Sequence, residues 1–170
     1  MEGQYQFVKS DHPRDLMTVD FFGSLPRSIG DVEYIFVVLD AYSKYVRLYA
    51  IEKETTRAAL HRILNKYISE TRKPKRLLAD NSRQFTSPSW SRALQEVGIQ
   101  PVFCSIGHPQ SNPTERVMRE IGRLFRTLCS ESHTRWEKHL PKMECYLNVT
   151  THSSTGFSSY ELHSGVKPHD

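Results

Sequence analysis

LMTVDFF, residues 16–22, is the stretch from which the rest of the chain can be read: β-branched, aromatic and long apolar residues in one short run, with Asp20 among them. Such a run is a β-strand that carries a carboxylate near its end. Two more runs follow, YIFVVLD at 34–40 and YVRLYAI at 45–51. The gap GSLPRSIGD is rich in turn formers and AYSK is short enough for a hairpin, so the three predict an antiparallel meander. Thr55 or Thr56 caps the next segment, where Ala59, Leu60, Ile63, Leu64, Tyr67 and Ile68 recur at helical spacing up to an exit at Pro74. Then come RLLAD at 76–80, a helix from Ser89 to Val97 stopped by Gly98, and the strand IQPVF at 99–103. Strand-helix-strand connections favour parallel pairing. With further helices near 113–129 and 134–149, the expected fold is α/β: a mixed sheet flanked by helices.

At 170 residues the chain is read as one domain, large enough to close a core with 38% hydrophobic residues. A formal charge of +4 leans towards a polyanionic partner. Cys104, Cys129 and Cys145 are odd in number and form no C-x-x-C pair, which argues against a disulfide framework and a thiolate zinc site. His133, His139 and Cys145 read as core or surface residues rather than ligands. There is no signal-peptide pattern and no apolar run near the roughly 18 residues of a membrane span, so the expectation is a soluble protein.

Three carboxylates stand where regular elements begin or end: Asp20, Asp80 and Glu115. Hard divalent cations take oxygen ligands, and three carboxylates from three elements suit a two-ion site for moving a phosphoryl group. Each acid also has a plainer reading. Asp20 is a strand-end residue, Asp80 precedes Asn81 and Ser82 as in an Asx turn, and Asn112-Pro113-Thr114-Glu115 matches a helix cap, which geometry alone favours. In the helix that follows, Val117, Met118, Ile121, Leu124, Phe125 and Leu128 share one sector. Arg116, Arg119, Arg123 and Arg126 share the opposite one, a face for solvent or phosphate with Glu115 at its edge.

VDFFG, VVLDAYSKYV, ADNSRQFTS, GHPQSNPTERV, Trp136 and YLNVTTHSSTGFSSYEL occur in this order, and together they resemble the catalytic core of retroviral and long-terminal-repeat retrotransposon integrases, of gypsy or BEL type. The resemblance covers residues 16–166, leaving 1–15 as an N-terminal extension and 167–170 as a tail. It implies an RNase H-like fold with a five-stranded mixed sheet, and a catalytic triad of Asp20, Asp80 and Glu115 that binds two Mg²⁺ or Mn²⁺ ions. Asp20 would bridge both ions, Asp80 hold one and Glu115 the other. The implied chemistry is trimming of the element's DNA ends by water, followed by attack of the new 3′-hydroxyl on target DNA.

It further implies DNA contacts, a homodimer or higher oligomer, no membrane association and nuclear localisation. Gln110 and Asn112, in a loop beside the site, Lys44, and Arg119, Arg123 and Arg126 are the expected DNA-binding residues; Lys75 and Arg83 are further phosphate candidates. Asp40 in D-A-Y-S-K is read as a turn residue instead. The chain departs from the family pattern at Ser82, where glycine is usual and a positive φ would cost serine energy. It departs also at Pro113 and in the 34 residues between Asp80 and Glu115. No zinc domain precedes the core and no basic domain follows it, so complete integration is not expected of this chain alone. Those features and Ser82 favour the alternative, a catalytically weakened or host-adopted domain that binds DNA or protein.

Overall fold

Strand β1 (Leu16–Phe22) lies at the centre of a five-stranded sheet of order β3-β2-β1-β4-β5. The computed structural model describes residues 12–104, 114–129 and 133–149. β1 pairs antiparallel with β2 (Tyr34–Asp40), and β2 with β3 (Val46–Ile51), forming the meander; β4 (Arg76–Ala79) and β5 (Gln100–Phe103) add in parallel. The run YIFVVLD shows no polar alternation because both faces of the sheet are covered. Phe36 and Val38 point into one core with Met17, Val19, Leu77 and Ala79, whereas Ile35, Val37 and Leu39 point into the other.

The first core is closed by α1 (Thr56–Arg62) and α4 (Pro88–Glu96), the second by α5 (Thr114–Leu128) and α6 (Leu140–Val149). Thr55 caps α1 by accepting from the Ala58 N–H, as read from the sequence. The periodicity predicted an unbroken helix there; instead a π segment, Ile63–Tyr67, intervenes before the last turn, α2 (Ile68–Glu70). That segment buries Ile63 and Tyr67, and the Tyr67 hydroxyl donates to Met17 Sδ at 3.3 Å. Gly98 ends α4 with φ +80°. Both tryptophans are core residues: Trp90 meets the Phe85 ring edge-on at 4.8 Å, and Trp136 donates its indole N–H to the Pro26 carbonyl at 2.6 Å.

Asp40 is fully buried in the β2–β3 turn, where its carboxylate accepts from the Arg14 and Tyr42 amides and the Ser43 hydroxyl. The turn reading therefore holds. The outer edge of β3 is closed by side chains. Asn148 accepts from the Val46 N–H and donates to the Val46 carbonyl, both at 2.8 Å; Glu144 accepts from the Leu48 N–H at 2.9 Å, and Arg62 donates to the Ala50 carbonyl at 3.0 Å. An unpaired edge invites another strand, and these bonds consume the groups it would use. Arg47 adds ion pairs to Glu144 and Glu70 over the same edge. At the opposite edge β5 carries Pro101, which has no N–H to offer.

Candidate active site

Parallel pairing of the central strands decides where the acids meet. Leu16, Met17 and Thr18 lie opposite Arg76, Leu77 and Leu78, so the same register carried two residues further sets Asp20 beside Asp80. Side chains alternate along a strand; Met17, Val19, Leu77 and Ala79 all face the α1/α4 core, and Asp20 and Asp80 therefore share the α5 side of the sheet. β5 brings in Cys104, whose amide donates to the Ala79 carbonyl at 2.9 Å. Burial raises the Cys104 thiol pKa, and the Asp80 and Asp20 charges raise it further.

Each aspartate is held by one local bond: the Phe21 N–H donates to Asp20 Oδ1 at 2.8 Å and the Ser82 N–H to Asp80 Oδ1 at 2.9 Å. Neither has an ion pair with Lys, Arg or His among the described residues. Burial pushes the Asp20 pKa up to about 6; the Phe21 amide opposes this, while the Asp80 and Glu54 charges reinforce it. Two half-buried carboxylates side by side, with no counter-charge among the described residues, are a donor set that suits a hard divalent cation.

Glu115 lies in the first turn of α5 and is exposed. Seven residues later on the same helix edge, within about 20° at 100° per residue, Gly122 leans on β1: a Cβ there would stand 3.7 Å from Phe22 Cζ. Glu115 thus occupies the edge of α5 turned towards β1. Among the described residues, however, no three His, Cys, Asp or Glu side chains stand close enough to hold one metal ion. The structure brings Asp20 and Asp80 together and does not bring Glu115 into a three-acid group with them.

Gln110 and Asn112 lie outside the described residues. Lys44 sits in the β2–β3 turn at φ +64°, half-buried, with its ammonium donating to the Ala41 carbonyl at 2.6 Å. Burial lowers its pKa, Asp40 opposes that, and Arg116 adds to it. Arg119, Arg123 and Arg126 are exposed, but Arg123 is engaged by Glu120 at 2.8 Å and lies over the Tyr146 ring, 5.7 Å from its centroid. If the stripe holds DNA, replacing these three arginines with Gln lowers affinity alike for many sequences and flattens the salt dependence, with no change in melting temperature. An unchanged salt slope in filter binding would leave them a solvated face.

The expectation of strain at Ser82 is corrected. Ser82 has φ −66° and ψ 157°, extended backbone open to any residue, and it precedes the short helix α3 (Arg83–Thr86). Its amide serves Asp80 and its carbonyl accepts from the Phe85 and Thr86 amides. Glycine has no role to fill here, so Ser82→Gly should shift stability by no more than about 1 kcal/mol, through unfolded-chain entropy, and should not raise activity. Chemical denaturation beside a strand-transfer assay checks both.

Two neighbours of the site escaped the sequence reading. Cys104 follows IQPVF directly, and parallel pairing of that strand with RLLAD would have pointed to it. Glu54 had no such signal: its loop is placed by Thr56, whose hydroxyl donates to the Gln84 carbonyl in α3.

A mixed sheet in this strand order, flanked by helices and with paired aspartates at the carboxyl ends of its central parallel strands, defines an RNase H-like domain. The chain belongs to the integrase core domain family, whose model matches residues 10–109, a span holding Asp20 and Asp80 and ending before Glu115. The Tf2-3 and Tf2-4 transposon polyproteins of Schizosaccharomyces pombe are 29% identical over 155 residues, 90% of this chain. The chain spans 12% of the length of these curated relatives. The fold is also that of the HTLV-2 integrase catalytic core domain solved with magnesium in a trimeric form (TM-score 0.74, 18% identity, 91% of this chain and 99% of that one). It is likewise that of a chain in the simian T-cell lymphotropic virus intasome bound to PP2A regulatory subunit B56 gamma (TM-score 0.78, 17% identity, 91% and 56% covered).

Proposed function

We propose that this domain catalyses divalent-metal-dependent phosphoryl transfer on DNA, of the kind that trims DNA ends and joins a 3′-hydroxyl to a target strand. The observation that carries the proposal is the in-register pair Asp20 and Asp80, on one face of the two central parallel strands and without a cationic partner among the described residues. Asp20 and Asp80, with Glu115 from the edge of α5, are the residues that would hold two Mg²⁺ or Mn²⁺ ions. Such ions, when bound, make water or a hydroxyl more nucleophilic and neutralise charge at the phosphate.

The chain's own part is positioning. The Phe21 and Ser82 amides each fix one carboxylate oxygen and leave the other to turn towards a cation. Asp20 must be ionised to act as a ligand, which its pKa of about 6 allows at neutral pH. Glu115 has to complete the set, and Glu115→Gln, which keeps a helix-start side chain of the same shape, abolishes strand transfer with little loss of stability. Full activity in that variant would remove Glu115 from the site.

DNA is the partner this reading requires, with Arg119, Arg126, Lys44, Gln110 and Asn112 as backbone contacts and the nucleus as the compartment. The HTLV-2 integrase core was solved in dimeric and trimeric forms with magnesium. Self-association of this chain would run through helix faces, because side chains close the β3 edge and Pro101 interrupts β5. The alternative, a domain that binds DNA or protein without catalysis, draws no support from Ser82, whose backbone is relaxed. A strand-transfer or disintegration assay on branched DNA, with Mn²⁺, Mg²⁺ or chelator, separates the two. Metal-dependent joining lost in Asp80→Asn supports catalysis; DNA binding with no joining in either metal favours the alternative.

A further inference from the structure

At the corner where β3 runs into α1 there is an open cleft of about 480 Å³. Its lining includes Glu52, Lys53, Thr55, Arg57, His61 and Arg62, three full cations and an imidazole against a single carboxylate. Arg62 is fixed in the wall by its bond to the Ala50 carbonyl. Lys53, Arg57 and His61 are exposed and form no ion pair among the described residues. Arg57 and His61 stand four residues apart and so project from one face of α1, with Lys53 brought round by the preceding loop. Cations gathered in a concave site raise the local positive potential and favour an anion there.

We propose that this cleft binds the phosphate backbone of DNA, as a subsite separate from the arginine face of α5, and this rests on the phosphoryl-transfer reading above. The chain ties the cleft to the candidate active site. Thr56, next to Arg57, donates to the Gln84 carbonyl in α3, the short helix that starts three residues after Asp80. The intervening loop residue Glu54 acts on the Asp20 carboxylate. The loop that carries Glu54 therefore joins the cleft to the neighbourhood of the paired aspartates along the chain. Flexible point charges at a phosphate hold a strand without reading its sequence, so the contribution is one of register and affinity.

The test is DNA binding by the whole chain in chelator, where no chemistry occurs, over a series of salt concentrations. Replacing Lys53, Arg57 and His61 together with Gln should weaken binding about tenfold near 0.1 M salt and reduce the slope of log K against log salt by about 2, as expected for two lost phosphate contacts. The Lys53→Arg and Arg57→Lys pair should keep both values. Equal affinity and slope in the Gln variant overturns the subsite, even if the wild type joins strands. Loss of binding with no strand transfer in the wild type leaves the subsite standing and overturns the catalytic reading instead. Melting in inorganic phosphate covers the other source of this chemistry: a phosphate-induced rise lost in the Gln variant, with DNA affinity intact, overturns DNA as the ligand in favour of a free anion.

Discussion

Asp20→Asn will make the metal-free protein more stable at about pH 8 and abolish metal-dependent strand transfer. The Asp20 pKa is raised from 3.8 to about 6 on folding, mainly by burial. A raised carboxyl contributes stability while protonated: fully below about pH 4, progressively lost as pH rises through about 6. Above that the ionised side chain costs about 3 kcal/mol, at 1.36 kcal/mol per pKa unit. Asparagine has nearly the same shape, keeps an oxygen for the Phe21 N–H, and carries no charge. The gain should therefore be about 2–3 kcal/mol at pH 8 and near zero at pH 4. With metal the order reverses. Binding to the folded state stabilises the wild type by mass action, and the variant lacks the charge that binding needs. Melting curves at both pH values, with Mn²⁺ and with chelator, read all of this. A variant that melts below wild type at pH 8 in chelator, or that still gains from Mn²⁺ as the wild type does, would refute Asp20 as a metal-poised carboxylate.

Asn148→Ala should destabilise the domain by about 3–4 kcal/mol, since two buried backbone groups each lose a partner at about 1–3 kcal/mol. Asn148 is 4% exposed and its amide satisfies both the N–H and the carbonyl of Val46 on the edge of the sheet. Val46 is fully buried beneath this amide, and truncation leaves a cavity besides. The reopened edge should also promote self-association at high concentration. Glu144→Gln is the mild comparison: it retains an acceptor for the Leu48 N–H and loses only the charge opposite Arg47, so about 1 kcal/mol is expected. Urea denaturation measures both. If Asn148→Ala unfolds at the wild-type midpoint, the edge bonds contribute nothing and β3 is held by its pairing with β2 and its apolar packing alone.

Much of the fold was legible in short-range pattern. LMTVDFF, YIFVVLD and VRLYAI are strands, Thr55 caps a helix, Gly98 stops one, and the apolar and arginine sectors of α5 separate as its periodicity indicated. These features follow from side-chain spacing within one element, which sterics and burial fix locally. That Asp20 and Asp80 share one site came from the family resemblance; two strands and a helical segment separate their runs in the chain, and the register of β1 with β4 brings them together.

Tertiary structure alone decided the remainder. Ser82 avoids a positive φ because the Asp80 carboxylate and α3 choose its backbone, not its own side chain. The π segment at Ile63–Tyr67 has ordinary helical spacing in sequence, and the closure of β3 joins Val46 to a side chain 102 residues away. Glu54 reaches Asp20 only through a loop seated on α3, and Lys53, Arg57 and His61 form a cleft only because β3 and α1 meet at a corner. Each depends on register or docking between elements distant in the chain. Periodicity within a single element carries no information about either, since both are set by the total burial and hydrogen bonding of the assembled sheet and helices.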